Sequence, residues 1–238
     1  MSSESVTESD GGVAPTGDAP TKQERVAASV RREQILAAAS RVFGERGYIG
    51  ATTDQVAKAA GISQPYVVRM FGSKENLFVE VLDRALTKLV EAFRGALADV
   101  GDDRGDRELV MSRLGAEYAD LISDRGILLS LMQGFIAGHD DVISAKAKAG
   151  FLAIYKLLRD EAGLDPDEIV DFLAHGMLFN TLIAMHMVDD FHSGDPCVSE
   201  LLTHTFRTKL DVVVNTVTGI SASEAHAAAE APHTRATA

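Results

Sequence analysis

Tryptophan is absent and cysteine occurs once, at Cys197. A lone cysteine excludes an internal disulfide framework and fits a reducing compartment, so a cytoplasmic location is expected. No apolar run reaches the length of a membrane span. The N-terminus lacks a basic region followed by an apolar stretch, so no secretory leader is expected. There is no Gly-rich phosphate loop, no nucleophile elbow, and no Ser, His and acid set in motif context. Neither catalysis nor a cofactor is therefore expected. His186, Asp189, Asp190 and His192 crowd together, and His139 precedes Asp140 and Asp141, but neither group has a recognised metal-ligand spacing. They read as capping or solvent-facing residues, and no metal is expected.

What is present is a large apolar fraction, 46% of 238 residues, enough for a small head on a larger body. The net charge of −12 would by itself argue against a polyanionic partner. Its distribution reverses that argument. Residues 22–74 hold nine Lys and Arg against four Asp and Glu, which leaves −17 on the rest of the chain. A basic head on an acidic body points to a polyanion met at one end only.

Residues 1–21 are rich in Ser, Gly, Asp, Pro and Thr and are expected to be a disordered tail. Residues 219–238, dominated by Ala, His, Ser, Thr and Glu, are expected to be a loose C-terminal tail. Between them the pattern is helical, with about nine helices and no convincing strand, so the fold class is all-α. Ile35, Ala39, Val42 and Phe43 mark one buried helical face. After Ser73, a candidate N-cap, Phe78, Val81, Leu82, Ala85, Leu89 and Phe93 mark another. Breaks are expected at Gly47, Gly61–Ser63, Gly72, Gly101–Gly105, Gly126, Gly138, Gly163–Pro166 and Gly194–Pro196. The expected domains are a basic head over 22–73 and a larger body over 74–218.

Residues 52–71, TTDQVAKAAGISQPYVVRMF, carry the chemistry. Thr53 is placed to cap a short helix that ends at Gly61 in a left-handed turn. Ile62 plugs the turn, Ser63 caps the next helix, and Pro65 lies in its first turn, where a missing N–H costs nothing. Two short helices joined by such a turn make a helix-turn-helix, whose second helix fits the DNA major groove. Gln64 suits paired hydrogen bonds to adenine, and Arg69 suits a guanine edge or a phosphate. Pro65 and Tyr66 offer apolar contact to a thymine methyl, and the Tyr66 hydroxyl alternatively reaches a phosphate. Thr53 and Lys74 stand at helix starts, which favour phosphate. Val56, Ala57, Ala60, Ile62, Val67 and Phe71 are assigned to the head core, with Val68 open between core and surface.

The stretch from Arg31 to Phe78, RREQILAAASRVFGERGYIGATTDQVAKAAGISQPYVVRMFGSKENLF, resembles the TetR family of bacterial regulators. The shared elements are an Ile-Leu-x-Ala-Ala helix, a Phe, a Gly-Tyr, a Thr-Thr and an Ala-Gly-Ile-Ser turn. A further Phe and a Ser-Lys-Glu-x-Leu opening the fourth helix follow in order. The resemblance implies a repressor that binds a palindromic double-stranded DNA operator as a homodimer and is released by a small molecule in the body. It places DNA contacts on Thr53, Gln64, Pro65, Tyr66, Arg69 and Lys74. Two departures stand out: Val68 where many members have Tyr or Phe, and Asp54 where others can place a basic residue.

The eighth helix, expected at about Asp167–Asp189, is apolar nearly all round and must be covered on more than one side. With the last helix, at about Val198–Val217, it is expected to form a four-helix interface between two copies. Phe172, Gly176, Phe179, Ile183, Leu202, Phe206, Leu210 and Val213 are the candidates for it. Phe93, Met111, Tyr118, Met132, Phe135, Phe151, Tyr155 and His175 are candidates to line a pocket for an unidentified apolar ligand. An activator, or a regulator controlled by a partner protein, remains open on the same fold. An all-helical small-molecule-binding protein or enzyme is the alternative of a different class.

Overall fold

The computed structural model describes residues 22–122, 124–206, 210, 213 and 214. The expected tails at 1–21 and 219–238 lie outside the described residues, as does Val217. The described residues form nine α-helices and no strand. These are α1 (Lys22–Gly50), α2 (Thr53–Ala60), α3 (Gln64–Phe71), α4 (Lys74–Val100), α5 (Arg107–Ile122), α6 (Arg125–Ile136), α7 (Asp141–Asp160), α8 (Pro166–Ala184) and α9 (Pro196–Phe206). Short 3-10 turns at Gly101–Gly105 and Met187–His192 join α4 to α5 and α8 to α9. Among the described residues no helix is long and apolar enough to cross a membrane.

Side-chain caps set most of the helix starts. Ser73 accepts from the Asn76 N–H to open α4, Asp124 opens α6, and Asp140 opens α7. Asp165 and Glu168 form a reciprocal capping box at α8, with Pro166 in the first turn. The cap of α2 is Thr52, one residue before the expected Thr53. Its hydroxyl accepts from the Gln55 N–H while the Gln55 side chain answers the Thr52 N–H. The glutamine at the third helical position selects Thr52, because the box closes only at that spacing. Ser63 occupies the N-cap position of α3 without making a side-chain capping bond.

Three boundaries differ from expectation. Gly126 does not break the chain; it lies in the first turn of α6, where a Cβ would sit 2.9 Å from Ser40 Oγ. Its smallness serves close approach of α6 to α1. The eighth helix stops at Ala184 because His186 adopts a left-handed backbone (φ 61°). The His186 ring is held there by Arg125 and Asp189, at 2.8 and 3.0 Å. The last helix begins at Pro196, two residues early, its Cys197 N–H received by Asp195.

The head packs around Ile35, Phe43, Val56, Val67 and Phe78, all 0% exposed. Phe43, Tyr48 and Phe78 form an aromatic knot, with Phe78 5.0 Å from each of the other two rings. Because Phe78 belongs to α4, the knot fastens the head to the body's first helix. A second seam joins α1 to α6: Ser40 and Ser130 hydroxyls meet at 3.2 Å, and Tyr48 N–H reaches Gln133 Oε1 at 3.4 Å. One apolar core runs from the head along α4 to Ile169, and another gathers α5, α6, α8 and α9 around Phe179, Ile183, Leu202 and Phe206.

Candidate nucleic-acid interface and body cavity

The helix-turn-helix is built as its residues dictate. Gly61 takes the left-handed conformation (φ 66°) and its N–H closes α2 on Ala57 and Lys58 carbonyls. Val56, Ala57, Val67 and Phe71 are buried, and Ala60 and Ile62 are partly so. Tyr66 and Met70 pack against this core in part, and the remaining residues of α3 face outward. Gln64, Pro65 and Arg69 are exposed and Tyr66 is half-buried. Val68 is 41% exposed, which puts it on the surface.

The outward groups are already organised. Gln64 Nε2 donates to Thr53 Oγ1 at 3.1 Å, tying the start of α3 to the first turn of α2. The Arg69 guanidinium lies over the Tyr66 ring at 4.9 Å. This stacking holds a flexible cation in one direction and reduces the entropy cost of binding. Asp54 is engaged by Lys58 one helical turn on, at 2.8 Å, so its charge is offset locally.

Lys74, the remaining DNA-contact candidate, is engaged within the chain. Its ammonium donates to the Tyr48 and Ile49 carbonyls at 3.0 and 3.4 Å and sits 4.7 Å from the Tyr48 ring centre. The kink at Gly47 (φ 70°) leaves the last carbonyls of α1 in need of donors, and Lys74 supplies one. Lys74 is thus a clamp between α1 and α4.

In the body, a small cavity of about 50 Å³ lies between α4, α5, α6, α7 and α8. Four of the pocket candidates line it: Phe93, Tyr118, Phe135 and Phe151. Met111, Tyr118 and His175 line a neighbouring open groove between α5, α8 and α9 of about 460 Å³. Met132 packs instead in the second core, and Tyr155 stands under Arg159 at 6.0 Å, away from both spaces. Asn180 was not singled out by sequence reasoning. Only 3% exposed, it accepts from the Tyr118 hydroxyl at 2.7 Å and lines the cavity. An amide within the largely apolar second half of α8 was the available signal.

Burial pushes the Tyr118 hydroxyl up to about 12 from its ordinary 10.0. Tyr118 borders the groove while its hydroxyl donates to Asn180. The folded protein therefore keeps a proton that the unfolded chain releases near pH 10. Stability from this group is complete below pH 10 and is lost as pH rises through 12, about 2–3 kcal/mol in all. Tyr118→Phe cannot ionise, so its urea midpoint falls less steeply than the parent's between about pH 10 and 12. Identical slopes would exclude Tyr118 as the group responsible.

The interface candidates divide. Phe179, Ile183, Leu202, Phe206, Leu210 and Val213 are buried between α8 and α9 of the same chain, at 8% exposure or less. Phe172 and Gly176 line both the cavity and the groove. The uncovered apolar stripe of α8 is a different set: Val170, Met177, Leu178 and Met185, 38–60% exposed, with Leu201 of α9 at 40%. Helical spacing showed two apolar sides but not which one faced inward.

Residues 35–81 match the family model described as bacterial regulatory proteins, tetR family. The HTH-type transcriptional activator FasR of Mycolicibacterium smegmatis is 45% identical over 74 residues, 31% of this chain and 34% of that protein. The HTH-type transcriptional repressor AcnR of Corynebacterium glutamicum is 36% identical over 92 residues, 35% of this chain and 45% of that protein. The chain thus spans less than half the length of these curated relatives. The crystal structure of a TetR-like transcriptional regulator from Rhodococcus sp. RHA1 superposes with a TM-score of 0.51 at 21% identity, covering 82% of this chain and 97% of that one. That likeness concerns the fold; the head carries the sequence match. Residues 35–81 thus carry a helix-turn-helix head of the kind that the tetR family model describes, on an all-helical architecture similar to that of the Rhodococcus structure.

Proposed function

We propose that the protein is a sequence-specific DNA-binding transcriptional regulator, acting as a homodimer on a palindromic operator and released by a small, largely apolar ligand held in the body. The observation that carries this reading is the outward face of α3. Gln64 and Arg69 are exposed and held in place by Thr53 and Tyr66, on the basic end of an otherwise acidic chain. A short helix presenting an amide and a guanidinium at its exposed side suits base edges in a major groove. The uncovered stripe on α8 supports a second copy, because a contiguous apolar face otherwise stays in water. The cavity beside Tyr118 supports a ligand.

Repression is the reading for the regulatory sign. Activation is the second reading, favoured by the match to a named activator. Selection of genomic fragments bound by the purified protein, followed by salt titration on the best site, tests the proposal. A short palindrome bound at nanomolar strength is expected. Gln64→Ala is expected to lose about 1–3 kcal/mol of discrimination at one base pair of each half-site. Arg69→Ala is expected to weaken binding and flatten the slope of log K against log salt by about one unit for each phosphate left without its guanidinium. Binding that is weak and blind to sequence, or unaltered in both variants, would exclude this interface.

A further inference from the structure

The cavity and the α5/α8/α9 groove share Tyr118, Phe172 and Gly176 as a common wall. A Cβ on Gly176 would lie 3.3 Å from the Tyr118 ring, so the wall is thin and closed by side chains. On its far side the cavity ends at Phe135 and Phe151, stacked edge to face at 6.0 Å. Beyond that pair lies a second groove between α6 and α7, of about 540 Å³, containing Lys148. The apolar cavity thus has an acidic approach on one side and a basic one on the other.

The acidic approach is the better built for a head group. Among the described residues, the α5/α8/α9 groove is lined by the carboxylates of Glu108 and Asp171 and by no lysine or arginine. Neither carboxylate is ion-paired to a described residue. The lining histidine, His175, spends its Nε2 proton on the Thr205 carbonyl at 2.9 Å. The shared wall carries the Tyr118 and Phe172 side chains, an apolar lining beside the two carboxylates. The cavity itself has room for one ring or a short alkyl end. The groove, about ninefold larger, accommodates the remainder.

Resting on the reading that the body holds a small ligand, we propose that this ligand is an amphiphilic cation. Its apolar end occupies the cavity and its ammonium group lies in the groove between Glu108 and Asp171. Tyr118 and Phe172 turn aside to admit it, so the bound molecule lies across the wall with its charge toward α5.

The probes are 3-phenylpropyltrimethylammonium and 4-phenylbutyrate, which share a phenylpropyl tail and differ in the sign of the head. Each is titrated calorimetrically into the full chain without DNA at low salt. The cation is expected to bind at least about tenfold more tightly than the anion, through attraction of one and repulsion of the other by two carboxylates. Glu108→Gln combined with Asp171→Asn, both at exposed positions, is expected to bring the two within about threefold and leave the helical content unchanged. Lys148→Gln is expected to leave the preference intact. Tighter binding of the anion, no binding of either probe, or a preference unaffected by the double carboxylate variant would each overturn the proposal. Release of operator DNA is measured separately. A cation that binds with the expected preference but leaves DNA bound supports the ligand class and contradicts the ligand-released regulator.

Discussion

Phe78→Ala is expected to lower the unfolding free energy by about 3–5 kcal/mol, the cost of deleting a fully buried aromatic ring and leaving the space unfilled. Phe78 has no exposure and touches both Phe43 and Tyr48 at 5.0 Å between ring centres. Its loss removes packing area together with two ring contacts worth about 0.5–1.5 kcal/mol each. The site collapses poorly, because Tyr48 is fixed on three sides, by Lys74 over its ring, Gln133 at its N–H and Lys74 again at its carbonyl. Urea denaturation followed by circular dichroism measures the change. Val68→Ala, on the exposed side of α3, is the control and should stay within about 0.5 kcal/mol of the parent. A Phe78→Ala loss below about 1 kcal/mol would show that the aromatic knot does not hold the head to α4. DNA affinity should fall with stability in this variant even though Phe78 faces away from α3's outward side, because the knot fixes the head's direction.

The second large effect concerns association. Leu178→Glu combined with Met185→Glu should convert the proposed dimer to a folded monomer. The two side chains are 39% and 56% exposed, so the isolated chain tolerates the change. A two-fold interface repeats every substitution, placing four carboxylates in one apolar contact. Unpaired buried charges cost several kcal/mol, so the dissociation constant should rise more than about a hundredfold. Sedimentation velocity reads the outcome directly, and affinity for a palindrome should fall toward that of a single half-site. A double variant that remains dimeric would place the interface elsewhere. Ile183→Ala makes the contrast: Ile183 is 0% exposed inside one chain, so its loss should appear as reduced stability with association unchanged.

The head was legible almost residue by residue because its constraints are local. A capping box, a left-handed glycine and an early proline each act over three or four residues. The one-residue error at Thr52 came from weighing the hydroxyl without its glutamine partner. The buried face of α1, from Ile35 to Phe43, followed from periodicity alone. The Lys74 contacts were not legible because its partners, the Tyr48 and Ile49 carbonyls, lie 26 and 25 positions earlier, across the kink at Gly47. The body was legible as helices but not as faces. Ile183 and Leu178 sit on one helix with similar hydrophobicity, yet one is interior and the other is not. Deciding between them requires knowing where α5, α6 and α9 lie. Asn180 was hidden for the same reason: an amide in an apolar helix announces a partner without saying that Tyr118, 62 positions earlier, provides it.

The continuity of α4 has a mechanical consequence. The helix begins at Lys74, clamped to the head, and carries Phe93 in the wall of the cavity, with no kink between them. At 1.5 Å per residue the two points are about 28 Å apart, so rotating this arm by about 4° around its cavity end swings Lys74 through about 2 Å. A small rotation at the cavity end becomes, at the other, a loss of hydrogen-bond register along α3. In the proposed homodimer two such arms, related by a dyad, swing in opposite senses, and the separation between the paired heads changes by up to twice that distance.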